Sequence, residues 1–281
     1  MIVTRTVAEL SAGIDRRHGT SVALVPTMGA LHRGHTSLFD EARRRADVVV
    51  ASIFVNPLQF GDPADLASYP STLDTDLALC RRHGVDVVHL PDAATMYPPG
   101  FSTSVHVAGI TDVLEGRSRP GHFDGVTTVV SKLLNACRPD LAMFGQKDFQ
   151  QASVVRRMIT DLDIQVRLVL VPTERDTDGL ALSSRNVRLD PRARQAATAL
   201  WRGLSAAKQA FDAGERTAEV LSTIVRSQCS SPLIALDYVA VVDAESLEPK
   251  QTCDDDTVIL IAALVGGVRL IDNVLLGRHH S

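Results

Sequence analysis

Val22-Ala23-Leu24-Val25-Pro26-Thr27-Met28-Gly29-Ala30-Leu31-His32-Arg33-Gly34-His35 runs from a short β-branched apolar segment through a glycine loop. An amphipathic stretch, residues 36–46, follows directly. A strand, a glycine turn and a helix start in immediate succession predict an anion-binding joint, because glycine lets backbone N–H groups come close and the helix N-terminus adds roughly half a positive charge. His32 and His35, three positions apart, would share one side of the first turn and offer N–H donors. Taken alone, the residues also suit a plain glycine turn with two incidental histidines. A zinc pair lacks a third nearby ligand.

The same alternation continues outward. Runs at 22–26, 48–55, 85–90, 141–144 and 165–171 read as buried strands, and the stretches 36–46, 71–83, 126–137 and 148–160 read as helices. Buried strands alternating with helices predict an α/β fold with a parallel sheet covered on both faces, whose ligands bind beyond the carboxyl ends of the strands. After Pro172 the pattern changes. A polar segment, 173–190, leads to Asp190-Pro191, an N-cap and first-turn pair for a helix over 191–211 that Gly214 can end. A second helix over 217–230 and strands at 236–242, 258–265 and 268–275 complete a smaller α+β domain, with Gly266-Gly267 at the centre of a hairpin. The boundaries expected are 1–174 and 175–281.

The 281 residues fit a core of roughly 150–180 plus a companion. With 29 Lys and Arg against 33 Asp and Glu, the net charge of −4 supplies no global positive field for a nucleic-acid backbone. The four cysteines are scattered without a CxxC pair, which suits reduced thiols and a cytoplasmic protein. Charges interrupt the first apolar runs before a signal-peptide core forms, and residues 257–276, containing Arg269 and Asp272, read as two strands and a turn instead of a membrane span. The Arg43-Arg44-Arg45 cluster reads as a solvated helix face, and Arg278-His279-His280-Ser281 is assigned no role.

No GxGxxG, GxxxxGK[ST] or GxSxG occurs, so a dinucleotide fingerprint, a P-loop and a nucleophile elbow are all unsupported. Attack on an α-phosphate needs no protein nucleophile, only donors and cations for charge gathering on departing pyrophosphate. His32-x-Gly34-His35 resembles the HxGH signature of nucleotidylyltransferases and class I aminoacyl-tRNA synthetases. Five ordered blocks narrow the resemblance: Pro26 to His35, Phe54-Val55-Asn56-Pro57-Leu58-Gln59-Phe60, Arg119-Pro120-Gly121-His122-Phe123-Asp124-Gly125-Val126, Phe144-Gly145-Gln146-Lys147-Asp148-Phe149-Gln150-Gln151, and Asp178-Gly179-Leu180-Ala181-Leu182-Ser183-Ser184-Arg185-Asn186. Together they resemble the pantothenate synthetase (pantoate–β-alanine ligase) family.

The resemblance implies a Rossmann-like nucleotidyltransferase domain and a C-terminal lid. It implies ATP-dependent joining of pantoate to β-alanine with Mg²⁺, through a pantoyl-adenylate, releasing AMP and pyrophosphate, in a cytoplasmic homodimer. It places Met28, Gly29, Ala30, Leu31, His32, Arg33, Gly34 and His35 around ATP, with His35 as proton donor and His32 and Lys147 as its catalytic companions. Gly145, Gln146, Lys147 and Asp148 form the next ATP segment, and Leu182, Ser183, Ser184 and Arg185 match a mobile segment that closes over phosphates. Glu174 stands where the family usually has Val or Ile meeting adenine through its backbone, and Gln146 where many members have Glu. Gln59 and Gln151 are implied for pantoate; a neutral amide suits a hydroxy acid because it both donates and accepts. Asn56, Arg119 and His122 are candidates for β-alanine or phosphate.

On composition alone, Lys147-Asp148 equally suits a surface ion pair, 182–185 a polar linker, and the glutamines solvated positions. Bringing a carboxylate to about 4 Å from one phosphate charge costs on the order of 4 kcal/mol at an effective dielectric near 20, so the cations are needed together. Two other classes compete: a transferase that hands the nucleotide to a phosphate-bearing acceptor, and a catalytically silent nucleotide sensor.

Overall fold

The structure, a computed structural model, describes residues 1–14, 19–61, 66–67 and 69–277. The terminal histidine pair, 279–280, lies outside the described residues. Two packed units emerge: Met1–Gly145 with Gln150–Val171, and Gln146–Phe149 with the chain from Pro172 on. The sequence reading divides the chain once, at 174/175; packing instead breaks it at 171/172 and assigns the segment 146–149 to the second unit.

In the first unit, strands β1 (Ile2–Thr4), β2 (Val22–Thr27), β3 (Val48–Ile53), β4 (Val87–His89), β5 (Leu141–Gly145) and β6 (Arg167–Val171) form one parallel sheet in the order β1-β4-β3-β2-β5-β6. From β4 to β6 this is the order of a Rossmann-like doubly wound sheet, whose switch point lies between β2 and β5. Val22, Ala23 and Val25 of β2 and Val49, Val50 and Ala51 of β3 are all fully buried, which is why those strands read as unbroken apolar runs. The core divides between the two faces of the sheet. Leu24, Val50, Val130 and Met158 belong to one cluster, and Ala23, Phe39, Val49 and Met143 to the other.

Several boundaries move for local reasons. The first long helix is Arg33–Arg45, because His32 acts as its N-cap, and another is His122–Cys137, entered through Gly121 at φ +76°. Arg119-Pro120-Gly121-His122 therefore leads into the helix at His122 itself. Strand β1 escapes periodicity, since three edge residues carry too little pattern; its following helix, Val7–Gly13, is closed by a Thr6/Glu9 capping box.

In the second unit, Asp190 accepts from the amides of Arg192 (2.8 Å) and Ala193 (2.9 Å) and caps the helix Pro191–Asp212. Helix Ala218–Gln228 packs on it. A Cβ at Gly203 would stand 2.9 Å from the Val225 carbonyl oxygen, so this approach requires glycine. Strands β7 (Ile234–Asp243), β8 (Thr257–Val265) and β9 (Val268–Leu275) form an antiparallel sheet. Gly266 and Gly267, at φ +54° and +81°, make the two-residue β8–β9 turn.

Candidate active site

A cavity of about 210 Å³, lined in part by Met28, Gly29, Ile53, Thr72 and Asp76, opens beyond the carboxyl ends of β2 and β3. There the chain leaves β2 at Thr27, whose hydroxyl donates to the Ser52 carbonyl (2.8 Å). Gly29 follows at φ +81°, where a Cβ would stand 3.0 Å from Asp76 Oδ2. Asp76, buried on the helix Leu73–Arg82, accepts from the amides of Ala30 (3.0 Å) and Leu31 (2.8 Å) and from the Thr72 hydroxyl (3.2 Å). The amides of Ala30 and Leu31 are thus taken by a carboxylate that fixes the loop. Asp76 was not among the residues read from the sequence, and only its place in the first turn of a helix hinted at a structural role.

The two imidazoles are built into the helix start. His32 Nδ1 accepts from the Gly34 amide (3.1 Å), and His35 Nδ1 accepts from the His32 amide (3.2 Å). Their rings lie 4.1 Å apart, centroid to centroid. With both Nδ1 atoms accepting, each neutral ring carries its proton on Nε2.

Gln59, buried on the single turn Pro57–Gln59, donates through Nε2 to Met28 Sδ (3.1 Å) and accepts at Oε1 from Asn56 Nδ2 (3.0 Å). Asn56 is spent on structure: Nδ2 also donates to the Gly125 carbonyl (3.0 Å), and Oδ1 accepts from Tyr97 Oη (2.7 Å) and the Leu58 amide (3.3 Å). The Gln59 carbonyl accepts from Arg119 (3.2 Å) and from His122 Nδ1 (2.8 Å). In this geometry His122 Nε2, 3.2 Å from Arg119, is the acceptor, the opposite tautomer to that of His32 and His35. A Cβ on Gly125 would stand 2.4 Å from the Leu58 oxygen, so the helix can approach this turn only with glycine. Tyr97 was also absent from the sequence reading; burial pushes its phenol up to about 12.

The neighbouring glutamines differ sharply. Gln150 is buried, donates to the carbonyls of Ile110 (2.9 Å) and Val113 (2.8 Å), and accepts from the Glu115 amide (3.0 Å). Gln151 is half-buried.

In the second unit, Gln146, Lys147 and Asp148 form a single helical turn, with Lys147 Nζ 3.5 Å from Asp148. Such a pair, half open to water, is worth well under about 1 kcal/mol. The Leu182 amide donates to the Glu174 carbonyl (2.9 Å), closing a loop whose Arg175 pairs with Asp272 through two bonds of 2.6 and 2.8 Å. Arg175 also lies 3.6 Å over the Trp201 ring. Ser183 caps the turn Ser184–Arg188 by accepting from the Arg185 amide (3.3 Å). Ser184 and Arg185 are half-buried on that turn.

Among the described residues no cluster of three or more His, Cys, Asp or Glu side chains could hold a metal ion, and no helix is long and apolar enough to cross a membrane. The parallel doubly wound sheet, the His32-x-Gly34-His35 loop beside its switch point and the small antiparallel sheet define the class of Rossmann-like α/β proteins. A family model described as pantoate-beta-alanine ligase matches residues 2–275. The chain is 49% identical over 276 residues to a pantothenate synthetase of Rhizorhabdus wittichii, covering 98% of each chain. It is 51% identical over 259 residues to one from Syntrophotalea carbinolica, covering 92% of each. A crystal structure of pantothenate synthetase from Thermus thermophilus superimposes with a TM-score of 0.94 at 45% identity, over 99% of this chain and 100% of that one. Pantoate-beta-alanine ligase from Francisella tularensis, complexed with beta-gamma ATP and beta-alanine, matches with a TM-score of 0.80 at 33% identity over both whole chains. The chain belongs to the pantoate–β-alanine ligase family.

Proposed function

We propose that the enzyme joins pantoate to β-alanine in two steps on ATP. The pantoate carboxylate attacks the α-phosphorus, the bond to the bridging oxygen breaks, and pyrophosphate leaves from a pantoyl-adenylate. The neutral amine of β-alanine then attacks the acyl carbon, AMP departs, and the amine loses a proton as the amide forms. The observation that carries this reading is the pair of imidazoles with both Nδ1 atoms committed to backbone amides, which aims Nε2–H donors suited to gathering phosphate charge. His35 supplies the donor at the departing pyrophosphate, with His32 beside it.

Met28 to His35 form the ATP loop, held by Asp76. Gly145 to Asp148 supply the second ATP segment, in which Lys147 is the mobile point charge, while Glu174 and Leu182 to Arg185 complete the nucleotide contacts. Gln59 and Gln151 take pantoate. Asn56, Arg119 and His122 act by fixing Gln59, since their bonds converge on its amide and its carbonyl. Mg²⁺ enters with the triphosphate as its counter-ion. The family resemblance adds a homodimer, checked by sedimentation, and a cytoplasmic location.

The test is product analysis with ATP, Mg²⁺ and pantoate, with and without β-alanine, in the presence of pyrophosphatase. AMP and pantothenate requiring both substrates, and a stoichiometric acyl-adenylate burst when β-alanine is omitted, are expected. Release of ADP would overturn the attack at the α-phosphorus.

A further inference from the structure

Strand β9 carries two adjacent polar residues that are almost fully buried, Asp272 at 4% exposure and Asn273 at 1%. A buried amide is costly unless its hydrogen-bonding capacity is used. Asn273 uses it on one segment. Nδ2 donates to the carbonyl oxygens of Gln146 (2.8 Å) and Lys147 (3.0 Å), and Oδ1 accepts from Gln146 Nε2 (3.3 Å). Asp272, whose side chain leaves the opposite face of the strand, takes Arg175 instead and so fastens the loop that closes at Glu174 and Leu182. One dipeptide thus holds both stretches of the second unit that the proposed mechanism assigns to ATP.

We infer that Asn273 is a positioning residue for Lys147, resting on the reading that Lys147 serves the phosphates. Lysine reaches its target through four rotatable bonds, so its ammonium is only as well placed as the backbone from which it starts. Two donors on the consecutive carbonyls of residues 146 and 147 fix that start. The assignment also explains why Gln146–Phe149 packs with the chain beyond Pro172.

The experiment compares wild type, Asn273→Ala and Lys147→Ala in two half-reactions: pantoate-dependent exchange of labelled pyrophosphate into ATP, and consumption of chemically supplied pantoyl-adenylate by β-alanine. In parallel, an ATP acyl phosphate, which transfers its acyl group to a nearby lysine amine, reports labelling of Lys147 by peptide mass spectrometry. Asn273→Ala should lower exchange about tenfold or more and reduce Lys147 labelling, while supplied adenylate is consumed within about twofold of the wild-type rate. Asn273→Ser, which retains one donor, should fall between and serves if the alanine variant does not fold. Wild-type exchange in folded Asn273→Ala, or an equal loss in both half-reactions with Lys147 labelling unchanged, overturns the positioning role while leaving Lys147 in place. Full exchange in Lys147→Ala overturns the reading of Lys147 itself, and this inference with it.

Discussion

At the scale of single residues, the site is governed by which amide atom faces which neighbour. The Tyr97 hydroxyl donates to Asn56 Oδ1, which turns Asn56 Nδ2 toward Gln59 Oε1 and so sets Gln59 Nε2 as the donor, on Met28 Sδ. Tyr97→Phe removes only that hydroxyl, at a cost of about 0.5–1.5 kcal/mol. The Michaelis constant for pantoate should rise severalfold while that for ATP stays near wild type, and steady-state kinetics with each substrate varied checks this. Gly125→Ala forces a methyl group against the Leu58 and Gln59 backbone; about 1–3 kcal/mol of stability should be lost, with weakened pantoate use, measured by urea denaturation and the same kinetics. The imidazoles and Gln59 could be singled out from the sequence because their motif neighbours are adjacent in it, and their functional roles stay proposals. Their supports were not: Tyr97 stands 41 residues from Asn56, Asp76 46 from Ala30, and Asn273 127 from Gln146. A lone Tyr, Asp or Asn carries no periodic signal of what it will meet.

At the scale of elements, a carboxylate on one helix organises the entrance to another. Asp76→Ala leaves the amides of Ala30 and Leu31 without their buried acceptor, at about 1–3 kcal/mol each. Urea denaturation should show a loss of at least about 2 kcal/mol, together with a fall in ligase activity, because the His32–His35 turn is no longer held. The two glycines of the β8–β9 turn should not respond alike. Both have positive φ, yet a Cβ at Gly266 meets Ala193 Cβ at 2.5 Å whereas one at Gly267 meets nothing within 4 Å. Gly267→Ala should cost about 1 kcal/mol of backbone strain, and Gly266→Ala distinctly more, by thermal denaturation. The turn was readable from its two glycines and flanking strands, as were the central strands from their apolar runs. The start of the helix at Arg33 was not, since recognising it requires a histidine serving as N-cap in place of the usual Ser, Thr, Asp or Asn.

At the scale of the whole molecule, stability should decline on mild acidification, and a buried imidazole, His89, contributes to that decline. Burial holds His89 below the usual histidine value. Well above the usual histidine value it is neutral in both states; as the pH falls through that value, the unfolded chain takes up the proton first, so the folded state loses ground. His106 runs the other way: its bond to Asp124 raises it, so its contribution is present in acid and lost as the pH rises through its folded value. That pair is open to solvent and its share is small. Urea midpoints from about pH 7.5 to about 5.5 should fall, and His89→Gln should flatten the slope; an unchanged slope would refute the assignment. For anyone exchanging domains between relatives, the assembly of the second unit sets a rule of its own. The graft is not one contiguous piece: residues 146–149 must be taken from the same parent as β9, or the recipient will inherit a lysine whose anchor came from a different protein.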